Sequence, residues 1–126
     1  MNKPLIAAGA AFAFLGVLIG AFGAHALEET LASRGSRAIY ETGVLYQFVH
    51  ALGLLLLGVV DTSGKKGLLT WAGRLMVIGI PLFSFSLYGL ALSGVRLLGA
   101  ITPVGGLCFL GAWVCLTLWA VKGGAA

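Results

Sequence analysis

The stretch Pro4-Leu-Ile-Ala-Ala-Gly-Ala-Ala-Phe-Ala-Phe-Leu-Gly-Val-Leu-Ile-Gly-Ala-Phe-Gly-Ala-His-Ala26 carries no charge between Lys3 and Glu28. At about 1.5 Å rise per residue it is long enough, as a helix, to cross a bilayer core of roughly 30 Å. Gly9, Ala13, Gly16, Gly20 and Gly23 recur within it at alternating spacings of four and three, which places them on one helix face. A face with almost no side chain lets a neighbouring backbone approach closely, as membrane helix interfaces require. The run therefore predicts a membrane helix that packs centrally through glycine, with the rest of the chain as its partners.

Composition agrees. Of 126 residues, 60% are hydrophobic and 10% charged, and the mean hydropathy is +1.04. A water-facing domain carries about a quarter charged residues, so this chain lacks the polar surface a soluble fold needs. The length suits one domain, residues 1–126. The formal charge of +4 comes from scattered residues whose largest cluster is Lys65-Lys66. Nucleic-acid binding needs a concentrated basic patch, so that partner class is not expected; membrane topology explains the charge better. Cys108 and Cys115, seven positions apart on one predicted helix, stand about 10 Å from each other, too far for a disulfide. No cofactor or metal is expected from them.

Four spans are predicted, over about 4–26, 43–60, 73–92 and 98–121, giving an all-α integral membrane four-helix bundle. Lys3 followed by an apolar run and Ala24-His25-Ala26 also has the form of a signal peptide. The run is longer than the 7–15 apolar residues of a usual signal, and its glycine stripe needs a partner, so the segment is read as retained. Residues 27–36 read as an amphipathic extension, with a break at Ser33-Arg34-Gly35-Ser36 and Ser36 as a cap for the next helix. Arg37 and Glu41, at i and i+4, suit a surface pair. Tyr40 and Tyr46, near the start of the second span, suit an interfacial belt. Asp61 to Gly67 reads as a charged turn, Pro81 as a bend in the third span, and residues 97–102 as a looser lead-in to Pro103. Counting basic residues, Lys3, Lys65, Lys66, Arg74 and Lys122 fall on one side, and Arg34, Arg37 and Arg96 on the other. Five against three predicts both termini in the cytoplasm.

Polar side chains at membrane depth are costly and mark either helix cohesion or function. His25 and Glu28, at the outer end of the first helix, and Gln47 and His50, across the same connection, are expected to converge. Ser84, Ser86 and Tyr88 on the bent third helix, and Thr102 on the fourth, complete the candidate polar cluster. The packing glycines are Gly9, Gly16, Gly20, Gly23, Gly79 and Gly105. A histidine beside a carboxylate can handle a proton near neutral pH, which supports proton-coupled or small-solute transport through an oligomer. The competing reading ties the helices together with a hydrogen-bonded cap, and it fits a chain with only two histidines and no broken-helix repeat. No Ser-His-Asp set, His-Glu-x-x-His pattern or phosphate-binding glycine loop is present, so an enzyme is not expected. Beyond membrane lipid, the glycine faces suggest a homo-oligomer or other membrane proteins as partners.

The run Gly20-Ala-Phe-Gly-Ala-His-Ala-Leu27 resembles the signature of the small membrane family known as domain of unknown function 423, whose animal members are called transmembrane protein 256. Tyr46-Gln-Phe-Val-His50, Gly79-Ile-Pro-Leu-Phe-Ser-Phe-Ser-Leu-Tyr88 and Gly99-Ala-Ile-Thr-Pro-Val-Gly-Gly106 also resemble its later features. The resemblance implies a four-helix bacterial inner-membrane protein and singles out His25, Gln47, His50, Ser84, Thr102 and Pro103. It implies no activity. Family members often have a glycine between the two serines of the third segment, where this chain has Phe85.

Overall fold

The computed structural model describes residues 1–61 and 67–123. Residues 62–66, with Lys65 and Lys66, and the tail 124–126 lie outside that description. Six α-helices follow in order: α1 Lys3–Ala24, α2 Glu28–Arg34, α3 Arg37–Val60, α4 Leu68–Ile80, α5 Ser86–Ser93 and α6 Arg96–Val121. A π-turn over Pro81–Phe85 joins α4 and α5 into one continuous span, Leu68–Ser93. With α1, α3 and α6, that makes four segments long and apolar enough to cross a membrane, and no strand is found among the described residues.

The π-turn follows from Pro81. Proline has no N–H for the carbonyl four residues back, and its ring crowds that carbonyl. Widening the helix by one residue shifts the bonds to the fifth residue and lets a later N–H take the vacated acceptor. Pro103 has no such effect. Helix α6 runs unbroken from Arg96 through it, so the looser lead-in expected over residues 97–102 is regular helix instead.

The centre of the bundle is α3 with the α4–α5 span, not α1. Helix α1 packs along α3, and α6 packs along α4, leaving α1 and α6 as outer helices. Only 11% of the α1 apolar window is buried, against 44% for α3, which overturns the central place expected for the first helix. Glycines permit close approach but do not supply area: the stripe buries one face of α1 and leaves the others to lipid.

Within that stripe the positions differ. A methyl group at Gly9 would lie 2.7 Å from the Ala51 carbonyl oxygen and 3.0 Å from the Leu55 nitrogen, so two backbones meet there. At Gly16 it would press on the Phe48 ring at 3.0 Å, and at Gly23 on the Tyr40 ring, with Cδ1 at 2.9 Å. At Gly20 it would meet only Val44 at 3.5 Å, an ordinary contact. Gly20→Ala is therefore expected to leave thermal stability within about 0.5 kcal/mol of the parent or to raise it, because alanine is the better helix former. A loss of more than about 1 kcal/mol in a detergent melt would refute this.

Two apolar clusters stack along the bundle. One contains Leu54, Leu57, Leu69, Met76, Ile80 and Phe109, and the other Leu31, Tyr40, Tyr88 and Ala91. Between them, Gln47, His50 and Ser84 form a buried polar layer. Near the start of α1, Asn2 Nδ2 donates to Asp61 Oδ2 at 3.0 Å, and the Asn2 backbone N–H to the Gly58 carbonyl at 2.7 Å, tying the N-terminal end of α1 to the C-terminal end of α3.

Candidate functional site

The polar layer is built on α3, whose Tyr40, Gln47 and His50 make hydrogen bonds to α1, α5 and α6. Gln47 is fully buried. Its Nε2 donates to the Phe12 carbonyl of α1 at 2.8 Å, and its Oε1 accepts from the Tyr88 hydroxyl of α5 at 2.6 Å. Ser84, in the π-turn, donates to the Gly43 carbonyl at 2.7 Å, and Tyr40 donates to the Ile19 carbonyl. Gly43 is needed at that crossing, because a Cβ there would stand 2.7 Å from the Tyr88 ring and 3.2 Å from the Ser84 carbonyl oxygen. On the other side, Ser86 Oγ lies 2.6 Å from Thr102 Oγ1, joining α5 to α6, and its hydroxyl also reaches back to the Leu82 and Phe83 carbonyls at 2.7 and 2.8 Å.

His50 faces α6. Its Nδ1 lies 2.7 Å from the Tyr46 carbonyl, and its Nε2 accepts from the Trp113 indole N–H at 3.0 Å. An indole N–H only donates, so Nε2 must be the bare nitrogen and Nδ1 carries the proton. The ring is thus held as one neutral tautomer, and it stacks on Phe109 with centroids 3.5 Å apart and planes 6° from parallel. Both nitrogens are occupied. Protonating the ring would set its Nε2–H against the Trp113 N–H.

His25 and Glu28 do not join this layer, contrary to the expected convergence. Helix α3 starts at Arg37, and Gln47 and His50 lie ten and thirteen residues along it, deep in the bundle. Gln47 meets α1 at Phe12, thirteen residues and about 19 Å before His25. His25 and Glu28 are exposed at the far end, above Leu31 and Tyr40. Glu28 pairs with Arg37 at 3.7 Å, with both side chains in the open, so the pair adds little stability and replaces the expected Arg37–Glu41 contact. Ser36 precedes α3 as expected, but its hydroxyl does not cap the helix. It donates instead to the Ala91 carbonyl at 2.7 Å.

Ser84, Ser86, Tyr88 and Thr102 take up interhelical positions around the layer. Trp113 was not among the residues singled out from the sequence. Its signal was there: a tryptophan in the middle of a span, away from both interfaces, must find a partner for its N–H. Gly105 lets α6 ride over the π-turn, because a Cβ there would stand 2.8 Å from the Leu82 carbonyl carbon and the Phe83 Cα. A Cβ at Gly79 would stand 2.7 Å from the Phe109 ring. Phe85, where a glycine was expected from the resemblance, turns its ring toward Phe12 of α1, with centroids 6.3 Å apart. No buried side-chain nitrogen or oxygen among the described residues lacks a hydrogen bond. No three His, Cys, Asp or Glu side chains among them come together as metal ligands.

The family described as Protein of unknown function (DUF423) matches residues 19–106, which includes the whole of α3, the π-turn and the Ser86–Thr102 junction. The chain is 46% identical over 121 residues to a UPF0382 membrane protein of Staphylococcus epidermidis, covering 95% of this chain and 97% of the relative. It is 44% identical over 121 residues to the UPF0382 membrane protein YwdK of Bacillus subtilis, covering 95% and 98%. To the UPF0382 inner membrane protein YgdD of Escherichia coli it is 39% identical over 109 residues, covering 86% and 82%. No solved structure matches the chain significantly.

Proposed function

The chain belongs to the DUF423 family, and from that premise we propose that this multi-pass membrane protein acts in the inner membrane as a structural or accessory component of a membrane complex or homo-oligomer. The observation that carries the reading is the closed state of the polar layer. Gln47, Ser84 and Tyr88 spend their hydrogen bonds between helices, and both nitrogens of His50 are taken. Such bonds hold a bundle together, whereas a proton or solute path needs groups that exchange partners with water. Transport through an oligomer would need a hydrated path outside this layer.

One further feature supports a partner. The outer face of α1 presents Ala7, Ala10 and Ala11 close together, small residues that would let another helix approach. An even number of spans puts both ends on one side, and the basic bias assigns that side to the cytoplasm. Solubilised in mild detergent and sized by native mass spectrometry, the protein is expected as a species heavier than one chain. Ala7→Leu and Ala11→Leu together should convert it to a folded monomer. A parent chain that is monomeric at every concentration, with no companion, would overturn the proposal.

A further inference from the structure

Helix α3 begins at Arg37, so Tyr46 lies nine residues, about 14 Å, inside it. Its ring, 40% exposed on the outer face, lies 6.4 Å from Phe109, midway along α6, so Tyr46 reaches nearer the mid-height of the bundle than its end. The ring is packed 4.6 Å from Phe83 and 6.1 Å from His50. Its hydroxyl has no hydrogen-bond partner among the described residues. A bare phenol O–H in hydrocarbon is costly, and the polar groups beside it, His50 and the Trp113 indole, are already satisfied by each other and by the Tyr46 carbonyl.

Tyr46 lines a cleft of about 780 Å³ between α3 and α6, the largest described, and its size falls in the roughly 300–1,000 Å³ range of small-molecule sites. The cleft exists because α3 and α6 do not pack along each other. Its walls are aromatic, with Phe83, Phe109 and Trp113 around Tyr46, while Pro103 and Gly106 leave the α6 side shallow. Exposed Leu45, Val49, Leu107 and Leu110 form its rim, so it opens sideways, toward lipid.

We propose that this cleft binds the headgroup of a lipophilic quinone, with the ring against the aromatic walls and one carbonyl accepting from the Tyr46 hydroxyl. Aromatic walls favour a flat ring by offset or edge contacts, which an alkyl chain cannot make. An acyl chain also leaves the phenol unpaired. Phospholipid ester carbonyls sit at headgroup level, above Tyr46. A quinone brings a flat ring and a carbonyl into the hydrocarbon itself. The inference is one of binding and goes beyond the structural role proposed above, since neither depends on the other.

The test uses the full chain in nanodiscs with Trp71→Phe and Trp119→Phe, so that Trp113 alone reports. A decyl-tailed benzoquinone is expected to quench Trp113 saturably. Tyr46→Phe keeps the ring packing and should weaken binding about tenfold. Gly106→Leu should abolish it by filling the cleft, since a Cβ at Gly106 has ordinary clearance, 3.8 Å from Phe83. Quenching that rises in proportion to quinone in the membrane and is equal in all variants would overturn the proposal, leaving acyl chains as the occupant. So would equal competition by a decyl-tailed benzene that lacks carbonyls. Tyr46→Phe decides the matter even if Gly106→Leu melts early.

Discussion

Replacing Gly105 with alanine is expected to cost about 3 kcal/mol, at the upper end of the usual penalty for overpacking. The added methyl would meet main chain, lying 2.8 Å from both the Leu82 carbonyl carbon and the Phe83 Cα. A flexible side chain could step aside; the π-turn cannot, because Pro81 forces it and Ser84 anchors it to the Gly43 carbonyl. Helix α6 would have to withdraw, loosening the Ser86–Thr102 contact and the Phe109–His50 stack with it. Thermal and denaturant unfolding followed by circular dichroism measure the effect. An alanine variant that melts within about 1 kcal/mol of the parent would show that α6 does not sit this close to the turn.

The second large effect is expected at Gln47. Gln47→Leu removes two hydrogen bonds and leaves the buried Tyr88 hydroxyl without its acceptor. Interhelical hydrogen bonds in membranes average only about 0.6 kcal/mol, so the lost bonds alone would cost about 1 kcal/mol. The stranded hydroxyl adds about 1–3 kcal/mol, giving about 2–4 kcal/mol in all. The Phe12 carbonyl suffers less, since it keeps the bond within its own helix. Tyr88→Phe should cost about 1 kcal/mol. The double variant Gln47→Leu with Tyr88→Phe should be no less stable than Gln47→Leu alone, because the orphaned group is gone. Strict additivity of the two single costs would show that the side chains do not act on each other.

Much of this architecture was legible in the amino-acid order. Four spans follow from apolar runs of sufficient length, because lipid leaves the backbone no choice but helix. The stripes at Gly9, Gly16 and Gly23 and at Gly79 and Gly105 could be read as places where something comes close. The bend at Pro81 could be read from the missing N–H alone. The depths of the polar groups were less accessible. Ser36 marks the start of α3, but only the folded bundle shows Gln47 meeting α1 at Phe12, far from His25 and Glu28.

The sequence by itself determined that the chain spans a membrane four times, with polar residues that must be paired and glycines that must be approached. These are properties of single helices, set by length, composition and period. Only the tertiary structure decided the pairs. Gln47 bonds to Phe12 and Tyr88, His50 to Trp113, and Ser36 to Ala91 rather than to its own helix. It also decided that α3, with more polar residues than α1, is the central helix. The physical reason is the same in each case. Hydrocarbon solvates a leucine face as well as another helix does, so hydrophobicity does not choose which helix goes inside. Unsatisfied polar groups do, and the helix that carries Gln47 and His50 is drawn to where every neighbour can offer it a partner.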